Sequence, residues 1–208
     1  DHEIYYTLDG SEPDKGSLKY SAPVKVSESI QIRAIAYDAR GAASFIRTGN
    51  YTKATFSITY KYPPSPKYKG NSQIVLMDGL SGSSDFSSGD WLGWEGDDMV
   101  TTIDFGEVKE FRRVTANFVN AVGSWIFLPR GMKVEYSMDG KRFKKMGEST
   151  NPIPWDEAPE TSRKAFTVSG FTKAKYIRVT GFSMKTCPAG HAGEGGKAWL
   201  FCDEITVE

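Results

Sequence analysis

The sequence has few of the residues that usually build catalytic or metal centres. Its 208 residues include only two histidines and two cysteines. Lys+Arg and Asp+Glu number 26 each, so the chain lacks the basic excess that duplex DNA or an anionic membrane would attract. No apolar run approaches the roughly 18 residues that span a bilayer. We therefore predict neither nucleic-acid binding nor membrane insertion.

The two cysteines allow two interpretations. Cys187 and Cys202 cannot form a zinc site alone, and no cluster of histidines or further cysteines surrounds them. They flank a segment that reads as one long loop, and a disulfide closing it would contribute about 3 kcal/mol in the chain-entropy model. The alternative is two unrelated thiols, one of them in a strand.

Catalytic constellations are also scarce. A nucleophilic triad needs a histidine beside Ser or Cys, and His191 in a glycine-rich loop is a poor candidate. Three adjacent carboxylate pairs occur, and such pairs serve glycoside hydrolysis only if held across a sugar: Asp97-Asp98, Asp156-Glu157 and Asp203-Glu204. Neighbours in a strand point to opposite faces, so the last pair is not expected to act together. We predict solvated loop charges or metal ligands rather than an enzyme site.

What the chain does have is the composition of a β protein. Aromatic residues make up 13%, and 21 glycines and 10 prolines punctuate the apolar segments. Period-2 alternation runs through residues 30–36, 114–118 and 132–136, and Ser137-Met138-Asp139-Gly140-Lys141 signals a hairpin turn. In the last strand, alternation places Trp199, Phe201, Asp203, Ile205 and Val207 on one face. No segment has convincing helical periodicity, so we predict an all-β fold.

A proline cluster divides the chain. Three prolines occupy four positions at residues 63–66, which favours a stiff extended linker over a central strand. We therefore predict a first domain over residues 1–60, a linker over 61–69 and a second domain over 70–208.

The second domain has long loops rich in Gly, Ser and Pro that also carry large aromatics. Sugar rings stack their C–H faces on exposed aromatic side chains, and loops on a rigid sandwich are where binding usually lies. Trp91 and Trp155 fall in polar loops and are predicted to be exposed. A place in the core is the alternative to sugar stacking for Trp94, Trp125 and Trp199, and we predict it for Trp199.

Residues 78–85 form a carbonyl-rich loop suited to calcium. Calcium prefers six to eight oxygen ligands, many from backbone carbonyls, with one or two carboxylates. Asp78 and Asp85 bracket this loop, and Glu204 is predicted to reach it from the last strand. The alternative for Asp78 is an ordinary turn residue.

Two family resemblances rest on longer motifs. The run Ile4-Tyr5-Tyr6-Thr7-Leu8-Asp9-Gly10-Ser11-Glu12-Pro13, with Tyr20-Ser21-Ala22-Pro23-Val24 and Ile32-Arg33-Ala34-Ile35-Ala36, resembles the immunoglobulin-like domain that follows chitobiase and β-hexosaminidase catalytic domains. It covers about residues 1–57. That family has further sequence before this motif, so the resemblance implies a truncated immunoglobulin-like sandwich that lacks its first strand.

The remainder is similar to coagulation factor 5/8 type C, or discoidin, domains and to family 32 carbohydrate-binding modules. The resemblance is carried in order by Met77-Asp78-Gly79, Trp91-Leu92-Gly93-Trp94, Thr102-Ile103-Asp104-Phe105-Gly106, Gly123-Ser124-Trp125-Ile126-Phe127-Leu128-Pro129, Val134-Glu135-Tyr136-Ser137-Met138-Asp139-Gly140 and Ala198-Trp199-Leu200-Phe201-Cys202-Asp203-Glu204-Ile205. It implies a calcium-supported discoidin-type jelly roll that binds a sugar with loops at one end.

Carried over, the family's calcium carboxylates fall on Asp78 and Glu204, with Asp85 and the backbone of residues 81–84 as further candidates. The sugar-binding candidates are positional: Trp91, Glu95, Trp155 and His191. We expect Trp91, Trp155 and His191 to gather at the end of the domain that carries the Asp78 loop.

The domain order resembles the C-terminal tail of a bacterial family 20 glycoside hydrolase. It implies a non-catalytic, monomeric module that tethers a periplasmic, outer-surface or secreted enzyme to glycans containing galactose or N-acetylhexosamine. The alternatives are a discoidin-type adhesion module and a purely structural spacer. Lipid-binding discoidin loops usually carry apolar tips ringed by Lys or Arg, whereas these loops are mixed and often acidic.

Overall fold

A computed structural model describes residues 2–51, 53–83 and 85–208. The chain divides into two compact units, Asp1–Thr55 and Phe56–Glu208. The described residues form eleven strands and three short 3₁₀ turns, which confirms the all-β prediction. Nowhere in these ranges is there a helix long and apolar enough to cross a membrane.

The first unit is one antiparallel sheet. Its strands are β1 (Glu3–Thr7), β2 (Leu18–Lys19), β3 (Ile30–Tyr37) and β4 (Arg47–Tyr51), in the order β2-β1-β3-β4. The turn after β1 is closed by Asp9, whose carboxylate accepts a 3.0 Å hydrogen bond from the Ser11 backbone N–H. Pro13 and Ile35 are the buried apolar residues among the described residues of this unit, so its described core is small.

The second unit is a seven-stranded antiparallel ladder. Its strands are β5 (Ser57–Tyr60), β6 (Leu92–Glu95), β7 (Met99–Ala121), β8 (Gly131–Ser137), β9 (Lys144–Thr150), β10 (Thr161–Gly181) and β11 (Trp199–Val207). They lie in the order β6-β11-β7-β10-β8-β9, and β5 pairs with β7.

Two long strands turn this ladder into a sandwich. The first part of β7 pairs with β5 and the end of β10, whereas its second part pairs with the start of β10 and with β11. Register shifts lie between Ser169 and Thr172 and between Ala174 and Tyr176, where bulges increase twist and bend the strands. One core cluster contains residues of both halves, among them Ile103, Phe118, Met132, Phe166, Val179 and Leu200.

The boundary between the units differs from the predicted one. Residues 57–60 form β5 and pair with Thr101–Asp104 of β7, so they belong to the second unit. The predicted linker is also packed rather than free. Tyr68 lies 4.7 Å from Phe201 between ring centroids, and the Ser65 N–H donates to the Gly93 carbonyl at 2.8 Å. Burial of these aromatic rings fixes the segment beside β6.

The disulfide interpretation is wrong. Cys187 and Cys202 are both free and buried in the structure. Cys202 packs in the main core cluster, whereas Cys187 packs in a separate small cluster with Phe127 and Ala198. Burial raises the pKa of both thiols, so each behaves as a small apolar side chain.

Candidate functional site

Three loops of the second unit meet around an aromatic cluster of Phe127, Trp155 and His191. Ring centroids lie 5.2 Å apart for Phe127 and His191, 5.6 Å for Trp155 and His191, and 6.2 Å for Phe127 and Trp155. All three pairs are close to perpendicular, the edge-to-face arrangement that aromatic quadrupoles favour. The structure therefore brings two predicted site residues, Trp155 and His191, together.

His191 is committed to holding its loop. Its side chain is buried, Nδ1 accepts a 3.0 Å hydrogen bond from the Gly193 N–H, and Nε2 lies 3.1 Å from the Val122 carbonyl oxygen. Since Nδ1 accepts, the ring hydrogen belongs on Nε2, which donates to Val122. Neither nitrogen is left for a ligand, so the prediction that His191 binds sugar directly is corrected to a positioning role.

Beside Trp155 lies a pocket of about 230 Å³. Half-buried Trp155 forms part of its wall together with Phe127, Ile153 and other apolar groups. Its polar lining consists of Asn120, Arg130 and Asn151. This combination offers an apolar surface for stacking and a few hydrogen-bonding groups to orient a ligand, as small-molecule sites usually do.

The polar side chains of this pocket are partly occupied by the protein. The Arg130 Nε donates to the Ser183 carbonyl at 3.1 Å, and the Asn151 Oδ1 accepts from the Lys164 Nζ at 2.8 Å. These bonds fix the two side chains while leaving the Arg130 terminal nitrogens and the Asn151 amide nitrogen as donors. Sequence reasoning missed Asn120, Arg130 and Asn151, although Asn151 opens the Pro-rich segment that contains Trp155.

Trp91 is not available to a ligand, contrary to prediction. It is 1% exposed and packs with Val119, Ile126 and Phe201. Its Nε1 donates to the Ser83 carbonyl at 3.0 Å, so the loop folds over the ring. A Cβ on Gly82 would lie 2.5 Å from the indole, which shows how closely the loop backbone approaches.

Glu95 also lies apart from the pocket. It is exposed at the end of β6, directly opposite Trp199, and does not line the cavity beside Trp155. Trp125, for which a place in the core was one alternative, is 42% exposed. Its backbone is left-handed at φ 63°, and its indole covers the backbone of Gly193, where a Cβ would lie 2.6 Å away.

The loop that begins at Asp78 is fastened to β11 by carboxylates. The Gly79 N–H donates to the Glu204 Oε2 at 3.2 Å, and the Gly82 N–H donates to the Asp203 Oδ2 at 2.8 Å. The predicted approach of Glu204 to the Asp78 loop is therefore present. Asp203 is an additional contact that alternation in the sequence assigned to the opposite face.

A bulge in β11 explains the position of Asp203. The register of β11 against β7 shifts between Cys202 and Ile205, so one extra residue enters the strand there. Ile205 consequently packs in the same core cluster as Leu200 and Cys202, not on the face of Phe201. The bulge lets Asp203 and Glu204 reach one loop, and the expectation of opposite faces is wrong.

These carboxylates are held in an environment that opposes their charge. Burial raises the pKa of Glu204 to about 7, and repulsion from Asp78 and Asp203 adds to the effect. Burial also raises the pKa of Asp203, whose Oδ1 is buried without a hydrogen-bond partner among the described residues. The side chains of Asp203 and Glu204 suit a cation, because it would neutralise the two carboxylates and bind the unpartnered Oδ1 of Asp203.

The remaining predicted ligand does not join this group. The Asp85 Oδ1 accepts hydrogen bonds from the Ser87 N–H at 2.8 Å and the Ser87 Oγ at 2.6 Å, which closes its own turn. Ser84, part of the predicted backbone set, lies outside the described residues. The described residues contain no cluster of three or more His, Cys, Asp or Glu side chains able to hold a metal, so a cation near Glu204 would also need carbonyl oxygens.

The fold and its loops define an antiparallel β-sandwich domain with a pocket that is lined mainly by loop residues. The chain belongs to the F5/8 type C domain family, which matches residues 65–200, more than half of its length. Residues 1–51 match a second family, described as Fn3 associated. A search of curated proteins found no significant match.

Solved structures with similar folds include carbohydrate-binding modules. A CBM32 module from Clostridium perfringens, solved with GalNAc-β-1,3-galactose, is 19% identical; the alignment covers 74% of this chain and 94% of that one, with a TM-score of 0.44. Chitosan-binding module 1 from Paenibacillus sp. IK-5 is 15% identical, with 74% and 95% covered and a TM-score of 0.44. Similarity at this level carries no conclusion about the ligand.

Proposed function

We propose that the second unit is a non-catalytic carbohydrate-binding module and that one sugar ring binds in the pocket beside Trp155. The observation that carries this proposal is the half-buried indole at the wall of a 230 Å³ cavity with Arg130 and Asn151 on its lining. The indole stacks on the apolar C–H face of the ring. The free donors of Arg130 and Asn151 bind its hydroxyl oxygens.

The chemistry of the pocket supports binding rather than turnover. Hydrolysis of a glycosidic bond usually needs two carboxyl groups on either side of that bond. The described lining of this pocket contains no Asp or Glu. The pocket is also smaller than the roughly 300–1,000 Å³ of typical drug-sized ligand sites, which favours one sugar ring over a long segment.

We further propose a structural calcium ion at the loop that begins at Asp78. Asp203 and Glu204 would hold it together with backbone carbonyl oxygens of the loop. Asp78 and Asp85 are left out of this set, because each accepts a backbone N–H within its own turn. The ion would neutralise the carboxylates and fix the loop over Trp91. Support comes from the raised pKa of Glu204 and the unpartnered Oδ1 of Asp203.

In its parent protein the module would act through proximity. We propose a monomeric accessory tail of a chitobiase-like or β-hexosaminidase-like hydrolase that acts in the periplasm, on the outer surface or after secretion. Its ligand would be a glycan containing galactose or N-acetylhexosamine. A second weak site raises the local substrate concentration without new chemistry.

A glycan array with the full chain and two variants tests the binding proposal. Trp155→Ala should remove detectable binding, since loss of a stacking ring costs roughly 1–3 kcal/mol if it resembles aromatic–base stacking. Phe171→Ala is the matched control, because Phe171 is an aromatic side chain of the same unit that is 60% exposed outside the pocket. Equal binding by both variants would overturn the site. A folded wild-type chain that binds no glycan would favour the spacer.

A further inference from the structure

A second concave surface lies on the outer face of the sheet and shares no lining residue with the Trp155 pocket. It has a volume of about 540 Å³ and runs across β5, β7, β10 and β8. Thr59, Thr102, Arg178 and Glu135 lie in register across these four strands and form one row of it. We call this surface the sheet cleft.

A second row lies beside the first on the same face. Lys133 pairs with Thr180, Thr180 pairs with Val100, and the Lys61 N–H donates to the Val100 carbonyl at 2.9 Å. Residues two apart on a strand share a face, so both rows point outward while Ile103, Val134 and Val179 point into the core. Three inter-strand spacings of about 4.8 Å make the cleft roughly 14 Å wide.

The sheet cleft carries more positive than negative charge. Its lining includes Lys61, Lys133 and Arg178 but only one carboxylate, Glu135. Glu135 lies 3.2 Å from the Lys133 Nζ and 4.0 Å from an Arg178 terminal nitrogen. Three cations and one carboxylate in the lining leave an excess of two positive charges. Salt screens charges on a partly enclosed surface less than charges on an open one.

The guanidinium of Arg178 is oriented by a stacking contact so that it can bind a planar anion. Its guanidinium carbon lies 3.6 Å from the centroid of the Phe143 ring, and its side chain is 33% exposed. Stacking fixes the plane of the guanidinium and leaves its edge free, and this edge matches a carboxylate with two parallel hydrogen bonds. The 4.0 Å separation from Glu135 is too long for such a bond.

The lining between the cations is rich in hydroxyl groups. Thr59, Thr102 and Thr180 all contribute, and each hydroxyl can both donate and accept. Tyr60 is the one aromatic residue of this lining, and it also packs against the core. The sheet cleft therefore suits a ligand recognised by charge and hydroxyl groups rather than by ring stacking.

We propose that the sheet cleft is a second binding site, and that it takes an acidic polysaccharide whose uronate carboxylates pair with Arg178, Lys133 and Lys61. Sugar hydroxyls contact the threonine lining, and a linear chain of several units spans the four strands. The choice of a glycan over another polyanion rests on the proposed function, whereas the preference for anions follows from the charges of the cleft.

Titration of the full chain with polygalacturonate tests this site, with the methyl-esterified polymer as the neutral probe. Arg178→Gln and Lys133→Gln should each weaken polygalacturonate binding by roughly tenfold, as expected for loss of a charge-assisted contact. Thr102→Glu, which adds a carboxylate to the lining, should abolish binding. Lys173→Gln is the matched control, since Lys173 lies on β10, as Arg178 does, but forms an ion pair with Glu110 outside the cleft.

The outcomes separate this proposal from the loop pocket. Trp155→Ala should bind polygalacturonate as the wild type does. Loss of that binding would place the polymer in the Trp155 pocket, which would refute the sheet cleft as a binding site but not the proposed pocket. Unchanged affinity in Arg178→Gln, Lys133→Gln and Thr102→Glu, all with wild-type melting temperatures, would also overturn it. If the chain bound the methyl ester as tightly as polygalacturonate, recognition by charge would be refuted. If it bound polyglutamate as tightly as polygalacturonate, the proposal that the ligand is a polysaccharide would be refuted.

Discussion

The loop that holds His191 and the loop that begins at Asp78 are both fastened to the sandwich by polar side chains that bond to backbone groups. In the first loop, both ring nitrogens of His191 have partners. In the second, Asp203 and Glu204 each accept one N–H, yet Asp203 retains a buried oxygen without a partner among the described residues. Protein atoms thus satisfy the His191 side chain, whereas the second loop keeps one unpartnered carboxylate oxygen, which the proposed cation would bind.

Their apolar supports differ as well. His191 packs against Phe127 and half-buried Trp155, and Trp155 also lines the pocket. The Asp78 loop packs over Trp91, which is 1% exposed because core residues such as Phe201 also enclose it. Two tryptophans in polar loops, one glycine-rich and one proline-rich, thus differ in accessibility, and the position of the neighbouring loop decides which one can contact a ligand.

Trp91→Ala should produce the largest loss of stability. Removing a buried tryptophan typically costs about 3–5 kcal/mol, and the Ser83 carbonyl also loses its donor. Denaturant unfolding should show this loss, and any fraction that stays folded should retain the affinity of the Trp155 pocket. Glycan binding that disappears from folded Trp91→Ala would contradict the separation of the two loops.

Calcium should stabilise one loop and not the other. An ion that binds only the folded state at 100 times its dissociation constant adds about 2.7 kcal/mol, so a chelator should lower the melting temperature. Glu204→Gln should remove this response, and the response should be weaker at pH 5 than at pH 8, because protons compete for the carboxylates. The matched control is Asp85→Asn, whose carboxylate caps a separate turn. A wild-type melting curve unaffected by chelator would reject the ion.

His191→Ala should destabilise the chain by about 1–3 kcal/mol, because it leaves the Gly193 N–H and the Val122 carbonyl without their partner. Glu194→Ala in the same loop removes an exposed bond to the Gly190 N–H and should cost less. Neither change should alter the calcium response. Thermal melts with and without calcium measure both effects, and a lost calcium response in His191→Ala would contradict this account.

Local patterns predicted the parts of the fold that depend on neighbouring residues. The alternation through residues 30–36, 114–118 and 132–136 lies in β3, β7 and β8 as expected. The turn at Asp139-Gly140 joins β8 to β9, and Gly140 has the positive φ of 70° that favours glycine. These features follow from side-chain period and turn chemistry, which one sequence displays.

The features that sequence reasoning missed depend on distant residues. The β11 bulge shifts the phase of the alternation by one residue, and composition does not mark where that occurs. Trp91 is buried because residues 82–83 fold over it, and His191 is occupied because Val122 lies beside it in space. The candidate pocket was therefore foreseen through Trp155 alone, while Arg130 and Asn151 became visible only once the loops were assembled.

The Asp139→Ala variant tests whether a turn that is closed by a carboxylate needs a cation. Its effect on the melting temperature should be the smallest of these changes. Its Oδ1 accepts the Lys141 and Arg142 N–H groups, both at 2.9 Å, and these bonds hold its pKa well below the usual range. A lowered carboxyl pKa stabilises the folded state above the ordinary pKa near 4, and this contribution disappears as pH falls below it. The difference in melting temperature between wild type and Asp139→Ala should therefore be constant from pH 6 to 8 and shrink in acid. Because every group that donates to Asp139 belongs to the protein, calcium should leave that difference unchanged. A difference that depends on calcium would show that the Asp139 turn needs a cation, as is proposed for the Asp78 loop.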